Sequence, residues 1–210
     1  MKKLFLFDFD GVLVDSLDLY AEAVVRCLER IGTPVVKDKE GYLALFDGNF
    51  YESLVARGVD LVAFGQAAKE VLAGMDYEAM KPFAGLVPVL AALSANHILA
   101  VVSSNGYRTI SAMLVRFGFA SYFREIFGSD SGFSKKEKIT HAFEKYGISG
   151  ERTFYVGDTA GDILEARAAG VRSVAVAWGW HSRERLAAVR PDYLVDSPEG
   201  LLTLDTSSGS

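Results

Sequence analysis

An α/β fold built on a doubly wound parallel sheet is predicted by three observations. Short apolar strands such as Leu4–Phe7, Ile98–Val102 and Thr153–Val156 alternate with amphipathic helices. These strands lack polar alternation, as expected where helices cover both faces of a sheet. Several run directly into polar residues, and ligands in such sheets bind beyond the carboxyl ends of the strands.

The run Leu4-Phe5-Leu6-Phe7 is the first strand, and Asp8 and Asp10 follow it two residues apart. A strand has a side-chain period of two, so both carboxylates point the same way if the strand continues. Gly11 lets the backbone turn sharply and brings both acids close to a ligand. Ser16 is placed to cap a helix from Leu17 to about Ile31, with Leu17, Tyr20, Ala21, Val24, Leu28 and Ile31 on one apolar face. From Gly32-Thr33-Pro34 to about Met80 the pattern stays helical, as in Tyr51–Arg57 and Leu61–Gly74. Residues 16–81 therefore read as an all-helical domain inserted after the first strand, with Lys81-Pro82 as the return hinge. Residues 1–15 and 82–210 read as the core domain.

Beyond the hinge, strand and helix alternate. A helix from about Leu86 to Ser94 precedes the strand Ile98–Val102, and a helix Thr109–Phe117 precedes the short strand Tyr122–Phe127. Then come a helix Lys136–Tyr146, the strand Thr153–Val156, a helix Asp162–Ala169 and the strand Ser173–Ala177. A β-α pair, Tyr193–Val195 and Pro198–Leu204, closes the series, and the small polar tail 206–210 is expected to fray.

Half of the 210 residues are hydrophobic and 12% are aromatic, ample for a dry core. A formal net charge of −5 offers no basic surface, so neither nucleic acid nor an anionic membrane is an expected partner. Cys27 is the single cysteine, which excludes an internal disulfide and a Cys-rich zinc site. Within its apolar helical pattern it reads as a small buried side chain. No apolar run approaches the ~20 residues that span a bilayer. The first strand begins at about Lys3, which leaves no room for a signal peptide, so a cytoplasmic location is expected. No feature sets an oligomeric state.

The strand ends carry the chemistry. Asp8 and Asp10 close the first; Ser103-Ser104-Asn105-Gly106 follows Ile98–Val102 with hydroxyls and backbone N–H groups suited to an anion. Lys135 and Lys136 supply fixed positive charge near the third strand, and Gly157-Asp158-Thr159-Ala160-Gly161-Asp162 adds two acids around a turn. Assembled at one edge, these residues suit a phosphate bridged to a divalent ion.

In this order the residues resemble the haloacid-dehalogenase superfamily of phosphohydrolases. Asp8-Phe9-Asp10-Gly11-Val12 matches its first motif, the apolar strand ending at Ser103 its second, a lysine around 135 its third, and Gly157-Asp158 with Asp162 its fourth. The likeness spans essentially the whole chain, with the helical insert where the family's first-type cap sits. Tyr155–Gly170 and Ala177-Trp178-Gly179-Trp180-His181-Ser182 look most like phosphoglycolate-phosphatase-like members.

The resemblance implies a Mg²⁺-dependent phosphatase acting on a small phosphorylated metabolite through an aspartyl-phosphate. Asp8 is then the nucleophile and Asp10 the proton shuttle. The metal is held by Asp8, the Asp10 backbone carbonyl and Asp158, with Asp162 direct or through water. Gly11, Ser103 and Ser104 are implied on the substrate side. Lys135, counted back from Ile139, is the implied catalytic lysine, with Lys136 as runner-up; the remaining two of Lys135, Lys136 and Lys138 are expected in solvent.

Blander readings stand beside these. Ser103, Ser104 and Asn105 also suit helix capping, and Asp162 also suits a helix N-terminus. His97 and His141 read as structural or surface groups, and His181 as a packing residue. The loop Phe46-Asp47-Gly48-Asn49-Phe50-Tyr51 fits substrate contact and core packing equally. A phosphosugar mutase on the same scaffold and a phosphate-sensing, receiver-like module are the rival functions.

Overall fold

The computed structural model describes residues 1–206, with side chains to residue 204. Beyond Thr206 the tail expected to fray lies outside them. The chain opens with β1 (Leu4–Phe7) and the two-residue β2 (Val14–Asp15). It then runs through α1 (Leu17–Arg30), α2 (Lys39–Leu43), α3 (Phe50–Ala56) and α4 (Leu61–Ala73). β3 (Lys81–Pro82) returns antiparallel to β2, with Val14 opposite Pro82 and Asp15 opposite Lys81. Everything between these paired strands is helix, 3₁₀ turn or loop.

After β3 come α5 (Leu86–Asn96), β4 (Ile98–Val102), α6 (Tyr107–Arg116), β5 (Glu125–Phe127) and α7 (Lys135–Tyr146). β6 (Thr153–Gly157), α8 (Ala160–Ala168), β7 (Arg172–Val176), α9 (Arg183–Ala188), β8 (Tyr193–Val195) and α10 (Thr203–Thr206) complete the described chain. The large sheet is six-stranded and parallel, in the order β5-β4-β1-β6-β7-β8. The chain starts at β1, winds outward one way through β4 and β5, and then the other way from β6. Such a reversal opens a crevice beyond the carboxyl ends of the central strands.

Strand alternation divides the core in two. Phe5 and Phe7 join Leu99, Val101, Phe154 and Val156 against α5 and α6. Leu4 and Leu6 join Ala100, Val102 and Tyr155 against Ile139 of α7 and Ala166 of α8. Period-two geometry with helices on both sides explains the unbroken apolar strands. A third cluster lies between β2 and β3, where Tyr20, Val24 and Leu28 of α1 share a core with Phe64, Ala67 and Val71 of α4.

Several boundaries differ from the sequence reading. α6 starts two residues early because Gly106, not the preceding polar residues, is its N-cap. The strand read as Tyr122–Phe127 shrinks to β5, since Tyr122 N–H turns back to the Phe119 carbonyl (3.0 Å). Ser16 precedes α1 without a side-chain cap bond, because its hydroxyl is turned toward Asp10. α8 begins at Ala160 rather than Asp162: Thr159 caps it, which makes Asp162 the reciprocal partner of a capping box. Pro198–Leu202 forms a 3₁₀ turn ahead of α10 instead of one continuous helix.

Candidate active site

Asp8 lies one residue past β1 and donates its backbone N–H to the Val156 carbonyl (2.9 Å), which extends the sheet ladder by a step. Its carboxylate accepts from Lys135 Nζ (2.8 Å) and from the Phe9 N–H (2.6 Å). Lys135 is the first residue of α7, held there by the Ser134–Glu137 capping box. A cation at a helix N-terminus opposes the macrodipole, and here two carboxylates offset that cost. The same Nζ donates to Asp162 Oδ1 (2.6 Å). Burial disfavours the charge on Lys135, but Asp162 and Asp8 outweigh it and hold the ammonium well above its ordinary pKa.

Asp158 and Asp162 arrive on the turn after β6. Asp162 Oδ2 accepts from Thr159 Oγ1 (2.7 Å) and Thr159 N (3.1 Å) while Oδ1 faces Lys135. Burial raises its pKa, but Lys135 and the Thr159 bonds prevail and lower it, so Asp162 is anionic. Asp158 Oδ2 accepts the Trp180 N–H (2.7 Å). Burial, then Asp162 and Asp8, push its pKa well above the usual carboxylate range.

Room for Asp158 depends on missing side chains. Gly11 has φ +73, a left-handed backbone, and a Cβ built on it would fall inside the Asp158 carboxylate. A Cβ on Gly179 would strike Asp158 and the Gly11 carbonyl as well. The Gly11 expected from the sequence to turn the chain thus also makes space for an acid from a different strand.

Asp10 is held at both oxygens. Ser16 Oγ donates to Oδ1 (2.7 Å) and Asn105 Nδ2 to Oδ2 (2.6 Å). Burial raises its pKa; the Ser16 bond opposes this and Asp8 adds to it, leaving Asp10 at about 7. Asp8 is pushed up to about 6 by burial, with Lys135 pulling against it. Ser103 is buried and its hydroxyl accepts the Asn105 N–H (3.1 Å).

The structure brings Asp8, Asp10, Ser103, Ser104, Lys135, Asp158 and Asp162 to one cavity of about 180 Å³. Asp8, Asp158 and Asp162 each place a carboxylate oxygen within 4.8 Å of the others'. Three buried acids, with burial and then the neighbouring carboxylates disfavouring charge on Asp158, form a hard oxygen donor set that fits a divalent cation. The Asp10 carboxylate stands outside this set.

Lys136 is exposed, as expected. Lys138 is not: it is buried, and its Nζ donates to the Ser103 carbonyl (2.9 Å), so the reading that placed it in solvent is corrected. Three residues on from Lys135, it lies on the same helical face, a spacing that could have signalled this. His181 packs, as read: Nδ1 accepts the Ala160 N–H (3.0 Å), so Nε2 carries the proton to the Leu43 carbonyl (3.0 Å). His97 is buried with Nδ1 accepting the Lys3 N–H, and His141 lies at the surface beside Phe127 and Phe133.

Sequence reasoning missed Ser16 and Trp180, and gave Asn105 only an anion-binding or capping role. Trp180 lies between the regions: its backbone holds Asp158, and its ring contacts Tyr42 and Phe46 at centroid distances of 5.5 and 5.1 Å. Among the described residues its indole Nε1 is the one buried side-chain nitrogen or oxygen without a hydrogen-bond partner. Arg185 adds bonds to Asp47 (2.7 Å) and the Leu43 carbonyl (3.3 Å), and Asn49 reaches Glu165 (3.0 Å).

A parallel sheet whose central strand ends converge on buried carboxylates and a shared lysine defines an α/β protein with an acidic site at its switch point. Residues 5–176 match the haloacid dehalogenase-like hydrolase family, and the chain belongs to that family. It is similar to the phosphoglycolate phosphatase of Synechococcus elongatus, 30% identical over 202 residues that cover 94% of each chain. The phosphoglycolate phosphatase of Neisseria meningitidis is 31% identical over 207 residues, covering 91% of this chain and 88% of its own. A haloacid dehalogenase-like hydrolase from Streptococcus pneumoniae shares the fold with a TM-score of 0.79 at 23% identity, over 97% of this chain and 98% of that one. The protein is a hydrolase of phosphate monoesters. Among its described residues no helix is long and apolar enough to cross a membrane.

Proposed function

We propose that the protein is a Mg²⁺-dependent phosphatase that turns over a small phosphorylated metabolite through an aspartyl-phosphate on Asp8. The observation that carries this reading is Lys135 Nζ shared between Asp8 (2.8 Å) and Asp162 (2.6 Å), within a carboxylate trio completed by Asp158. Lysine keeps one Asp8 oxygen ionised and aimed, as a nucleophile requires. A Mg²⁺ ion held by Asp8, the Asp10 carbonyl and Asp158, with Asp162 at or behind it, would neutralise phosphoryl charge.

Asp8 attacks phosphorus in line, and the bond to the leaving oxygen breaks as Asp10 gives that oxygen its proton. A water molecule then attacks the phosphorus. Its proton passes to Asp10 while the Asp8–phosphorus bond breaks, which frees phosphate and restores both acids. A group at about 7 is suited to donate and accept in turn near neutrality. The Ser103 hydroxyl is placed to donate to a phosphoryl oxygen, and such donors contribute about 3 kcal/mol each to the transition state.

Residues 16–81 act in this reading as a cap over the core of 1–15 and 82–210, hinged at the β2–β3 pair and excluding water when closed. The relatives' names make 2-phosphoglycolate the first metabolite to try. The test is release of phosphate from p-nitrophenyl phosphate. Turnover should require Mg²⁺, stop with EDTA, and vanish in Asp8→Asn with folding intact by circular dichroism. Metal-free turnover, an isomerised phosphate ester without free phosphate, or a long-lived acyl-phosphate without turnover would each overturn it.

A further inference from the structure

The active-site cavity does not end at the carboxylates. It continues into the helical insert, where Ala23, Val24, Phe46, Phe64, Ala68 and Leu72 line it beside the rings of Tyr20, Tyr42, Tyr51 and Trp180. Among the described residues the one cationic side chain on its wall is Lys135, and both Asp8 and Asp162 already claim its Nζ. Lys138, bonded to the Ser103 carbonyl, lines a neighbouring cavity instead. Of the insert's cations, Arg26 pairs with Glu22, Arg30 with Glu70 and Lys39 with Asp18, while Lys37, Arg57 and Lys69 are exposed, and none of the six lines the cavity.

A leaving group in this chamber sheds water against hydrocarbon and aromatic rings. An alkyl or aryl carbon skeleton gains from that transfer, roughly fourfold in affinity per buried methylene. A carboxylate loses hydration there and meets only neutral phenol and indole donors, with no free cation in return. The glycolate carboxylate is such a group.

Resting on the phosphatase reading above, we propose that this chain is selective for phosphate monoesters of uncharged, apolar alcohols, and discriminates against 2-phosphoglycolate. The selecting surface is the insert face of α1 and α4 with the Phe46 loop. Catalysis occurs at one end of the cavity and the choice of alcohol at the other.

The test compares kcat/KM with Mg²⁺ for ethyl, butyl and hexyl phosphate and for 2-phosphoglycolate, which is ethyl phosphate with a carboxylate in place of its methyl group. Efficiency should rise with chain length, with hexyl phosphate at least about tenfold above both ethyl phosphate and 2-phosphoglycolate. Ala68→Phe, which fills the chamber, should bring the hexyl-to-ethyl ratio close to one. A flat series, or 2-phosphoglycolate as the better substrate, overturns the proposal, and this wild-type comparison decides even where the variant does not fold. Should no ester release phosphate, the phosphatase reading fails on its own. Calorimetry with ethyl- and hexylphosphonate then judges the chamber: hexyl binding at least about tenfold tighter upholds it, and equal binding overturns it.

Discussion

At one end of the active-site cavity the acids are tied down. Asp10 is bonded by Ser16 and Asn105, Asp158 by Trp180, Asp162 by Thr159 and Lys135. At the other end Ala23, Val24, Phe64 and Leu72 present hydrocarbon, with shape as their only selectivity. Charged groups out of water must be paired and oriented, so the catalytic end is rigid and intolerant. Apolar walls repack at modest cost as long as volume is kept, so the chamber can drift to a new alcohol while the chemistry beneath it stays fixed.

This contrast can be strained from several directions. The largest effect is expected from Gly11→Ala, which drives a Cβ into the Asp158 carboxylate and strains a φ of +73. Metal affinity by calorimetry and kcat/KM should both fall about a hundredfold. An unchanged enzyme would mean that the catalytic end is softer than described. Asn105→Ala should act more narrowly. It removes one of two bonds that orient Asp10, so kcat should drop about tenfold with KM nearly constant. Equal shifts in both constants would place Asn105 in substrate binding instead. Arg185→Ala, which cuts the insert's bonds through Asp47 and Leu43, should raise KM only two- to fivefold, because the Asp47 partner is largely solvated.

The same contrast explains what could be read in advance. That Asp8, Asp10, Ser103, Lys135, Asp158 and Asp162 gather at one cavity was legible because their spacing follows the strand ends. The parallel sheet was legible because strands covered on both faces have no polar positions. Ser16 was not, since a serine ahead of a helix has the same appearance whether it caps or reaches six residues back to an acid. Lys138 was not, because one turn of helix holds three lysines and only packing decides which is submerged. The chamber residues were hidden for a deeper reason. Val24 and Phe64 belong to the insert's apolar core and to the cavity wall at once, and hydrophobic periodicity records only the first.

Trp180 gives the molecule an optical gauge. The chain has two tryptophans. Trp178 donates its indole N–H to the Val12 carbonyl (3.1 Å) within the core and supplies a steady background. Trp180 rests against Tyr42 and Phe46 of the insert, its own N–H buried and unanswered. In the proposed opening of the insert that ring would be wetted and its N–H would gain a water partner, moving its emission to longer wavelength. Stopped-flow fluorescence can therefore follow the insert through a turnover without any attached label.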